Sequence, residues 1–424
     1  MKKTAYIYTL GCKINIYESE AIKDILKKSG YEIVKKYENA DVTIVNSCTV
    51  TSNADNKLYK FLKKVSVSNP DAIKVVMGCY SQLESEKLKD IQAADIILGV
   101  DNRYKIDQIL EGHQRRSNYV QISDNSKVDF EDYHLSHYSN HTRAFLKIQD
   151  GCDNFCTYCT ISKARGRSRS KSSSSIIKDI EILVENGYKE IILSGIDLGS
   201  YKYDESGKTY LLKDIIKRIL SIKGFRLRIS SIEPWCFDDE LIELFVTEDR
   251  ICPHFHIPLQ SASDNILKKM NRKYSLDSFN SLIEKLKKRQ DVLIATDIIV
   301  GFPTESEQDF ELSKDYLINS SVGTAHIFSY SDRPYASSKN FFPKTAKKEI
   351  ERRSRELRKI SEEKFSRFFE QNINEEKDII IEKIVKVIDK GYKYSGFTDN
   401  YLQISTFSKK KYKKGDIVRT TVTI

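Results

Sequence analysis

Nowhere does this sequence run for the roughly 18 uncharged apolar residues that a membrane-spanning helix requires. Its opening segment, Met1 to Asn15, carries basic side chains but no apolar stretch of the kind found in a secretory signal. These absences lead us to expect a cytoplasmic protein without a membrane partner. Cysteine is scarce as well: eight among 424 residues are too few for a disulfide scaffold. In a reducing compartment such thiols are ligands, catalysts or core residues. There is no internal repeat and no long low-complexity tract. Hydrophobic residues make up 40%, enough for ordinary cores, and the length suits roughly two to four domains.

The formal net charge is +10, which favours an anionic partner. Two places concentrate it: Lys163, Arg165, Arg167, Arg169 and Lys171, and then Lys409, Lys410, Lys411, Lys413 and Lys414. Either run alone reads more readily as a solvated surface, and two runs together shift the balance toward an anionic partner.

Alternating strand and helix patterns imply parallel sheets with crossover helices. In residues 1–132 the strands are expected at Thr4–Tyr8, Val42–Asn46, Lys74–Met77 and Ile96–Leu98, with helices at Glu18–Ser29 and Asn56–Val67. This is an N-terminal open parallel α/β domain. A polar stretch, Asp129–His141, reads as a linker. From 138 to 345 six strands are expected: Ala144–Gln149, Glu190–Ser194, Arg226–Ser231, His254–Leu259, Val292–Val300 and Gly323–Tyr330. Helices such as Ser174–Asn186 and Ser275–Arg289 separate them. Six units are fewer than the eight of a closed barrel, so we expect a partial (β/α)6 barrel. Residues 346–372 form a charged helical connector. Residues 373–424 read as short strands (Ile379–Ile388, Tyr392–Phe397, Tyr401–Thr406 and Ile417–Thr423), a small C-terminal β-barrel.

The cysteines carry the chemistry. Cys152, Cys156 and Cys159 have the spacing C-x3-C-x2-C, directly after a barrel strand and Gly151. Three thiolates on one loop can hold three irons of a 4Fe-4S cluster and leave the fourth iron open for a small molecule. The alternative is a structural zinc completed by His134, His137 or His141. Cys12, Cys48 and Cys79 each lie a few residues past a strand of the first block. In an open α/β sheet those strand ends face one crevice, so the three thiols can converge on a second cluster. The alternative is three core cysteines. Cys236 and Cys252 belong to neither group and read as buried thiols.

The first triad, with Tyr158 before its last cysteine, resembles the radical S-adenosylmethionine (SAM) superfamily over about 143–335. Gly11-Cys12-Lys13-Ile14-Asn15, continuing to Tyr17-Glu18-Ser19, is similar to one cysteine motif of the methylthiotransferase family. Asn46-Ser47-Cys48-Thr49-Val50 and Gly78-Cys79-Tyr80 are similar to the other two. The form of the Cys48 motif, together with Arg228 to Pro234, most resembles the branch acting on threonylcarbamoyladenosine. The final block resembles the TRAM domain, an RNA-binding β-barrel.

The resemblance implies two 4Fe-4S clusters, one on Cys12, Cys48 and Cys79 and one, binding SAM, on Cys152, Cys156 and Cys159. Tyr158, Gly195, Ser231, Glu233, Gln260, Asp297 and Gly301 are the expected SAM contacts. Lys163, Arg165, Arg167 and Arg169, with Lys409, Lys410, Lys411, Lys413 and Lys414, are expected at RNA. The implied activity is methylthiolation of carbon 2 of threonylcarbamoyladenosine next to the tRNA anticodon. The implied partners are the anticodon stem-loop and an electron-donor protein, with no DNA. Another tRNA adenosine or a ribosomal protein is the alternative substrate. A zinc-containing RNA-binding protein is the non-enzymatic alternative. The chain departs from the family pattern at Ser162, where Pro is common, and at Pro334-Tyr335, where Gly-Thr is usual.

Overall fold

The computed structural model describes residues 2–113, 118–139, 141–387 and 391–423. Met1, Asn140, Ile388 and Ile424, which fall within expected segments, lie outside them. Two compact units emerge: Met1–Ser139 with Gln149–Lys171 and Ser331–Ala336, and Asn140–Ile148 with Ser172–Tyr330 and Ser337–Ile424.

The first unit alternates strand and helix as expected. Its elements are β1 (Thr4–Thr9), α1 (Lys13–Lys28), β2 (Glu32–Ile33), β3 (Val42–Ser47), α2 (Ser52–Ser68), β4 (Ile73–Gly78), α3 (Cys79–Asp90), β5 (Ile96–Leu98), α4 (Ile106–Gly112) and β6 (Tyr119–Gln121). The strands form one parallel sheet in the order β2-β1-β3-β4-β5-β6. Strand β3 is buried at every position, because helices cover both faces of a parallel sheet. Ala5, Ile44 and Val75 pack with Ile22 and Leu26 of α1 on one side. Val45 and Val76 pack with Leu58, Phe61 and Leu62 of α2 on the other. Strands β2 and β6 escaped sequence reading, being too short to show an alternating pattern.

The chain then lays down β7 (Ala144–Lys147) in the second unit. It returns to the first for β8 (Gln149–Asp150), α5 (Ile161–Arg165) and β9 (Arg169–Ser170). This grouping cuts across the linear boundary expected near 138. Within the first unit α5 packs against α3, and its Arg165 is ion-paired to Glu18 of α1.

The second unit continues with α6 (Ser173–Glu185), β10 (Glu190–Ser194), the unforeseen hairpin β11 (Lys202–Glu205) and β12 (Lys208–Leu211), α7 (Leu212–Leu220), β13 (Arg226–Ile229), α8 (Asp239–Thr247) and β14 (His254–His256). Then come α9 (Asp264–Lys269), α10 (Leu276–Leu286), β15 (Leu293–Val300), α11 (Glu307–Asn319), β16 (Thr324–Ser329) and α12 (Lys347–Gln371). All six expected barrel strands are present. They pair in parallel as β7-β10-β13 and β14-β15-β16. A bridge between Leu227 and Ile251 joins the two sets, with Cys252 N donating to Leu227 O at 2.8 Å. Strand order therefore follows chain order. Among the described residues no ladder joins β16 back to β7, so the barrel is partial.

The last strands are β17 (Glu376–Val387), β18 (Gly391–Phe397), β19 (Gln403–Ser408) and β20 (Ile417–Thr421). They form a curled antiparallel sheet, β19-β18-β17-β20, with a bulge between Ile381 and Lys383 that bends β17. This half-barrel packs on the barrel strands. Tyr401 stacks on His254 at 4.3 Å, and Arg226 and Arg228 donate to Asp378 O and Thr398 O at 2.8 and 3.1 Å.

Candidate metal centre

In the first sheet the strand order reverses between β1 and β3, the switch point where such folds hold their ligands. Cys12 follows β1 and caps α1, Cys48 follows β3, and Cys79 opens α3 after β4. All three thus sit on strand-to-helix connections at the carboxyl edge of the sheet, two of them flanking the switch point. Gly11, at φ +108°, explains how close two of them come: a Cβ there would lie 2.9 Å from Cys48 Cβ and 3.1 Å from its Sγ. Burial pushes the Cys48 thiol up to about 12, and the charges of Cys79 and Cys12 push the same way. The three thiols therefore feel one another.

Side-chain amides tie these connections together. Asn15 Nδ2 donates to Asn46 Oδ1 and Ser47 O, both at 3.1 Å, and Asn46 Nδ2 donates back to Asn15 O at 3.0 Å. Cys12 Sγ lies 3.2 Å from Asn15 Oδ1. Arg333 holds the Cys48 connection from another segment of the same unit, donating to Thr49 Oγ1 at 2.8 Å and pairing with Asp55 at 2.7 Å.

Beneath the thiols lies a buried ion network. Arg165 Nε donates to Cys79 Sγ at 3.1 Å, while its terminal nitrogens bind Glu18 at 2.8 and 3.1 Å and Asp150 at 3.0 Å. Arg103 binds Glu18 from its other side at 2.6 Å. Arg165, Arg103 and Glu18 are each fully buried.

Arg165 was expected on RNA, and the structure corrects that. A guanidinium with no exposed surface and two carboxylate partners is an internal group. Lys171 is likewise buried and paired with Asp132 at 2.6 Å. Arg169, mostly buried, pairs with Asp150 at 3.2 Å. Of that run only Lys163 and Arg167 are exposed, whereas Lys409, Lys410, Lys411, Lys413 and Lys414 all are. Glu18, Asp150, Arg103 and Arg333 escaped the sequence reading as site supports. Nothing in spacing pairs residues so far apart, although Glu18 stands inside the Cys12 motif.

The triad of Cys152, Cys156 and Cys159 lies on the loop from Gly151 to Thr160, its three thiols half-buried. Gly151, at φ +71°, permits the chain crossing: a Cβ there would lie 1.9 Å from Arg167 O. Asn154 N points at Cys152 Sγ (3.5 Å) and Ile161 N at Cys159 Sγ (3.4 Å). Amide donors aimed at sulfur are what cluster thiolates accept. The donor set therefore fits a 4Fe-4S cluster. Tyr158 is half-buried on this loop.

Of the other expected SAM contacts, Gly195, Ser231, Glu233, Gln260 and Gly301 lie beyond strand ends of the barrel unit, and Asp297 lies within β15. Gly195 follows β10 and Ser231 follows β13, and both are partly exposed. Beside Ser231, Ser230 Oγ is buried with no hydrogen-bond partner, a polar atom suited to a ligand. Glu233 is held by Arg272, with Nη1 to Oε1 at 3.2 Å. Burial raises its carboxyl, Arg272 opposes this, and Asp197 and Asp297 add to the rise, so three acidic groups gather there. Gln260, at φ +68°, donates its backbone N–H to Asp297 O at 2.7 Å. Gly301 has a packing explanation: at φ +77°, a Cβ would lie 2.3 Å from Ile350 Cγ1 of α12. Of the remaining cysteines, Cys252 is buried as expected and Cys236 is half-buried.

Comparison with known proteins agrees with this layout. Residues 4–99 match the model of the uncharacterized protein family UPF0004, and residues 146–317 match the radical SAM superfamily. The chain is 37% identical over 411 residues to a threonylcarbamoyladenosine tRNA methylthiotransferase of Bacillus subtilis, covering 95% of this chain and 90% of that protein. It is 33% identical to its namesake in Aquifex aeolicus, covering 92% and 97%. It is also 34% identical to a tRNA-2-methylthio-N(6)-dimethylallyladenosine synthase of Staphylococcus haemolyticus, covering 86% and 73%. Among solved structures, the radical SAM methyltransferase TsrM of Kitasatospora setae shares the fold, with a TM-score of 0.57 at 12% identity over 80% of this chain and 74% of that one. With a cysteine loop suited to the SAM-binding cluster and relatives aligned along nearly the whole length, this chain belongs to the radical SAM tRNA methylthiotransferases.

Proposed function

We propose that the chain methylthiolates carbon 2 of threonylcarbamoyladenosine next to the tRNA anticodon and holds two 4Fe-4S clusters. Cys152, Cys156 and Cys159 hold the one that binds SAM, and Cys12, Cys48 and Cys79 hold the other. The observation that carries the second cluster is the placement of Cys12 and Cys48 on either side of the switch point, with Cys79 beside them. The substrate reading rests on coverage: relatives named for threonylcarbamoyladenosine align over 90% and 97% of their length, against 73% for the dimethylallyladenosine synthase.

Carbon 2 of a purine has neither an acidic proton nor a leaving group. When bound, a reduced 4Fe-4S cluster carrying SAM supplies the one-electron chemistry that such a carbon requires. The protein's own contribution is to hold and orient. Arg165 donates to the sulfur of Cys79, Asn15 ties the Cys12 connection to the Cys48 connection through Asn46 and Ser47, and Arg333 steadies the connection at Cys48. Lys163 and Arg167, with the five exposed lysines after β19, supply phosphate contacts that position RNA without reading its sequence. An electron-donor protein and a cytoplasmic location complete the proposal.

Two measurements test it. Anaerobically reconstituted protein should carry about eight irons with matching sulfide. Four irons would remove the second cluster, and one zinc without sulfide would indicate an RNA-binding module instead. Mass spectrometry of tRNA nucleosides from cells lacking the gene should show loss of the methylthio form of threonylcarbamoyladenosine. Loss of the dimethylallyl counterpart would move the chain to the other branch.

A further inference from the structure

The inner face of the barrel carries a cluster, His256 and His326 with Asp297, whose two histidines are outside the expected SAM contacts. Along β15 and β16, Ile298, Val300, Ala325 and Ile327 point outward into a core with Phe310, Leu317 and Leu357 of the covering helices. Alternation then turns Asp297, His326 and Phe328 to the concave side. On β14, Phe255 packs outward on Phe245 of α8, at 4.9 Å, which turns His256 inward as well. Asp297 and His326 are direct partners in the β15–β16 ladder. His256 Nε2 lies 2.9 Å from Asp297 Oδ1, and the two histidine rings are 5.3 Å apart. Ligand atoms of all three residues lie within 4.8 Å of one another.

We propose that His326 and His256 are the specificity-determining residues for an N6 substituent ending in a carboxylate. Asp297 fixes the His256 ring, with His256 Nε2 2.9 Å from its Oδ1. His326 is exposed on the concave face beside it. Phe328, two residues further along the same face, is 43% exposed. It lies toward the carboxyl end of β16, the end at which barrels place chemistry. An aromatic platform followed by paired imidazoles matches a purine whose N6 arm carries an anion. A site built solely for a metal ion has no use for that exposed phenyl ring. The inference rests on the proposed substrate and explains how the chain tells it from an apolar N6 group.

The test uses the full-length reconstituted protein and anticodon stem-loops carrying threonylcarbamoyladenosine, its carboxyl methyl ester, or dimethylallyladenosine. The wild type should prefer the free acid over the ester by about 10- to 100-fold in kcat/KM, as expected for one charge-assisted hydrogen bond. His326→Ala should bring that ratio close to one through KM, with iron content unchanged, and His326→Gln, which keeps an N–H donor, should recover part of it. Full discrimination in His326→Ala overturns the inference while leaving the substrate assignment intact. A wild type that modifies only the dimethylallyl stem-loop overturns the substrate assignment and this inference together. One non-iron metal per chain, lost in His326→Ala, would identify a metal site instead.

Discussion

Arg165 places its Nε 3.1 Å from the Sγ of Cys79 while its remaining nitrogens hold Glu18 and Asp150. A residue six positions after Cys159 thus reaches a cysteine of the other triad within one compact unit. Removing one partner from such a buried network leaves charges uncompensated. Arg165→Met should therefore destabilise the protein by about 3–5 kcal/mol, and Arg165→Lys by less, because it keeps the charge but loses the planar fork. Denaturant unfolding of the metal-free protein measures this, and an unchanged midpoint in Arg165→Met would refute it.

The two triads should separate functionally. Cys156→Ala should abolish SAM cleavage. Cys48→Ala should spare cleavage and abolish methylthio insertion. Product analysis by mass spectrometry, beside assay of 5′-deoxyadenosine, reads both. Product formation by Cys48→Ala would end the role proposed for the second triad.

Glu190 is buried against Arg228 and Arg226 in the barrel unit. Burial alone would raise its carboxyl, but the two arginines outweigh it and hold the group at about 2, against 4.5 for the free side chain. As pH falls the unfolded chain takes up the proton first. The stabilisation is therefore complete above about 4.5 and is lost between about 4.5 and about 2. It amounts to about 3 kcal/mol at 1.36 kcal/mol per unit. Stability measured at stepwise lower pH should show that loss, and Glu190→Gln should be less stable near neutrality and flatter across the window.

Exposure divides the basic residues. Replacing Lys409, Lys410, Lys411, Lys413 and Lys414 with serine should weaken tRNA binding. It should also flatten the salt dependence by roughly 0.7–0.9 in log–log slope for each phosphate that is no longer neutralised. Arg167→Ser should act in the same way on a smaller scale. Filter binding between low and moderate salt would show it, and an unchanged slope in the quintuple variant would remove this face from the RNA interface.

Gly301 combines a left-handed backbone with close packing against Ile350. Gly301→Ala should cost about 1–3 kcal/mol from backbone strain, with the steric clash in addition. In the Ile350→Ala background the clash is relieved, so the same substitution should cost less. Equal losses of stability in both backgrounds, measured by thermal unfolding, would rule out Ile350 as the cause.

Much of this protein was legible in its sequence, because hydrophobic period and cysteine spacing are local properties. The six barrel strands, the parallel sheet and the connector helix all appear where the pattern placed them, with ends shifted by a few residues. The spacing of Cys152, Cys156 and Cys159 pointed to a cluster with a structural zinc as the alternative, and the family resemblance chose between them. Tertiary structure decided what distance along the chain conceals. Cys12, Cys48 and Cys79 come together because strand order reverses between β1 and β3, and that order is set by packing between distant segments. Arg165 and Arg167 look equivalent in the sequence. One is wholly buried between two carboxylates and a thiol and the other is exposed, because the ionic partners of Arg165 lie far from it along the chain and only the fold brings them within reach.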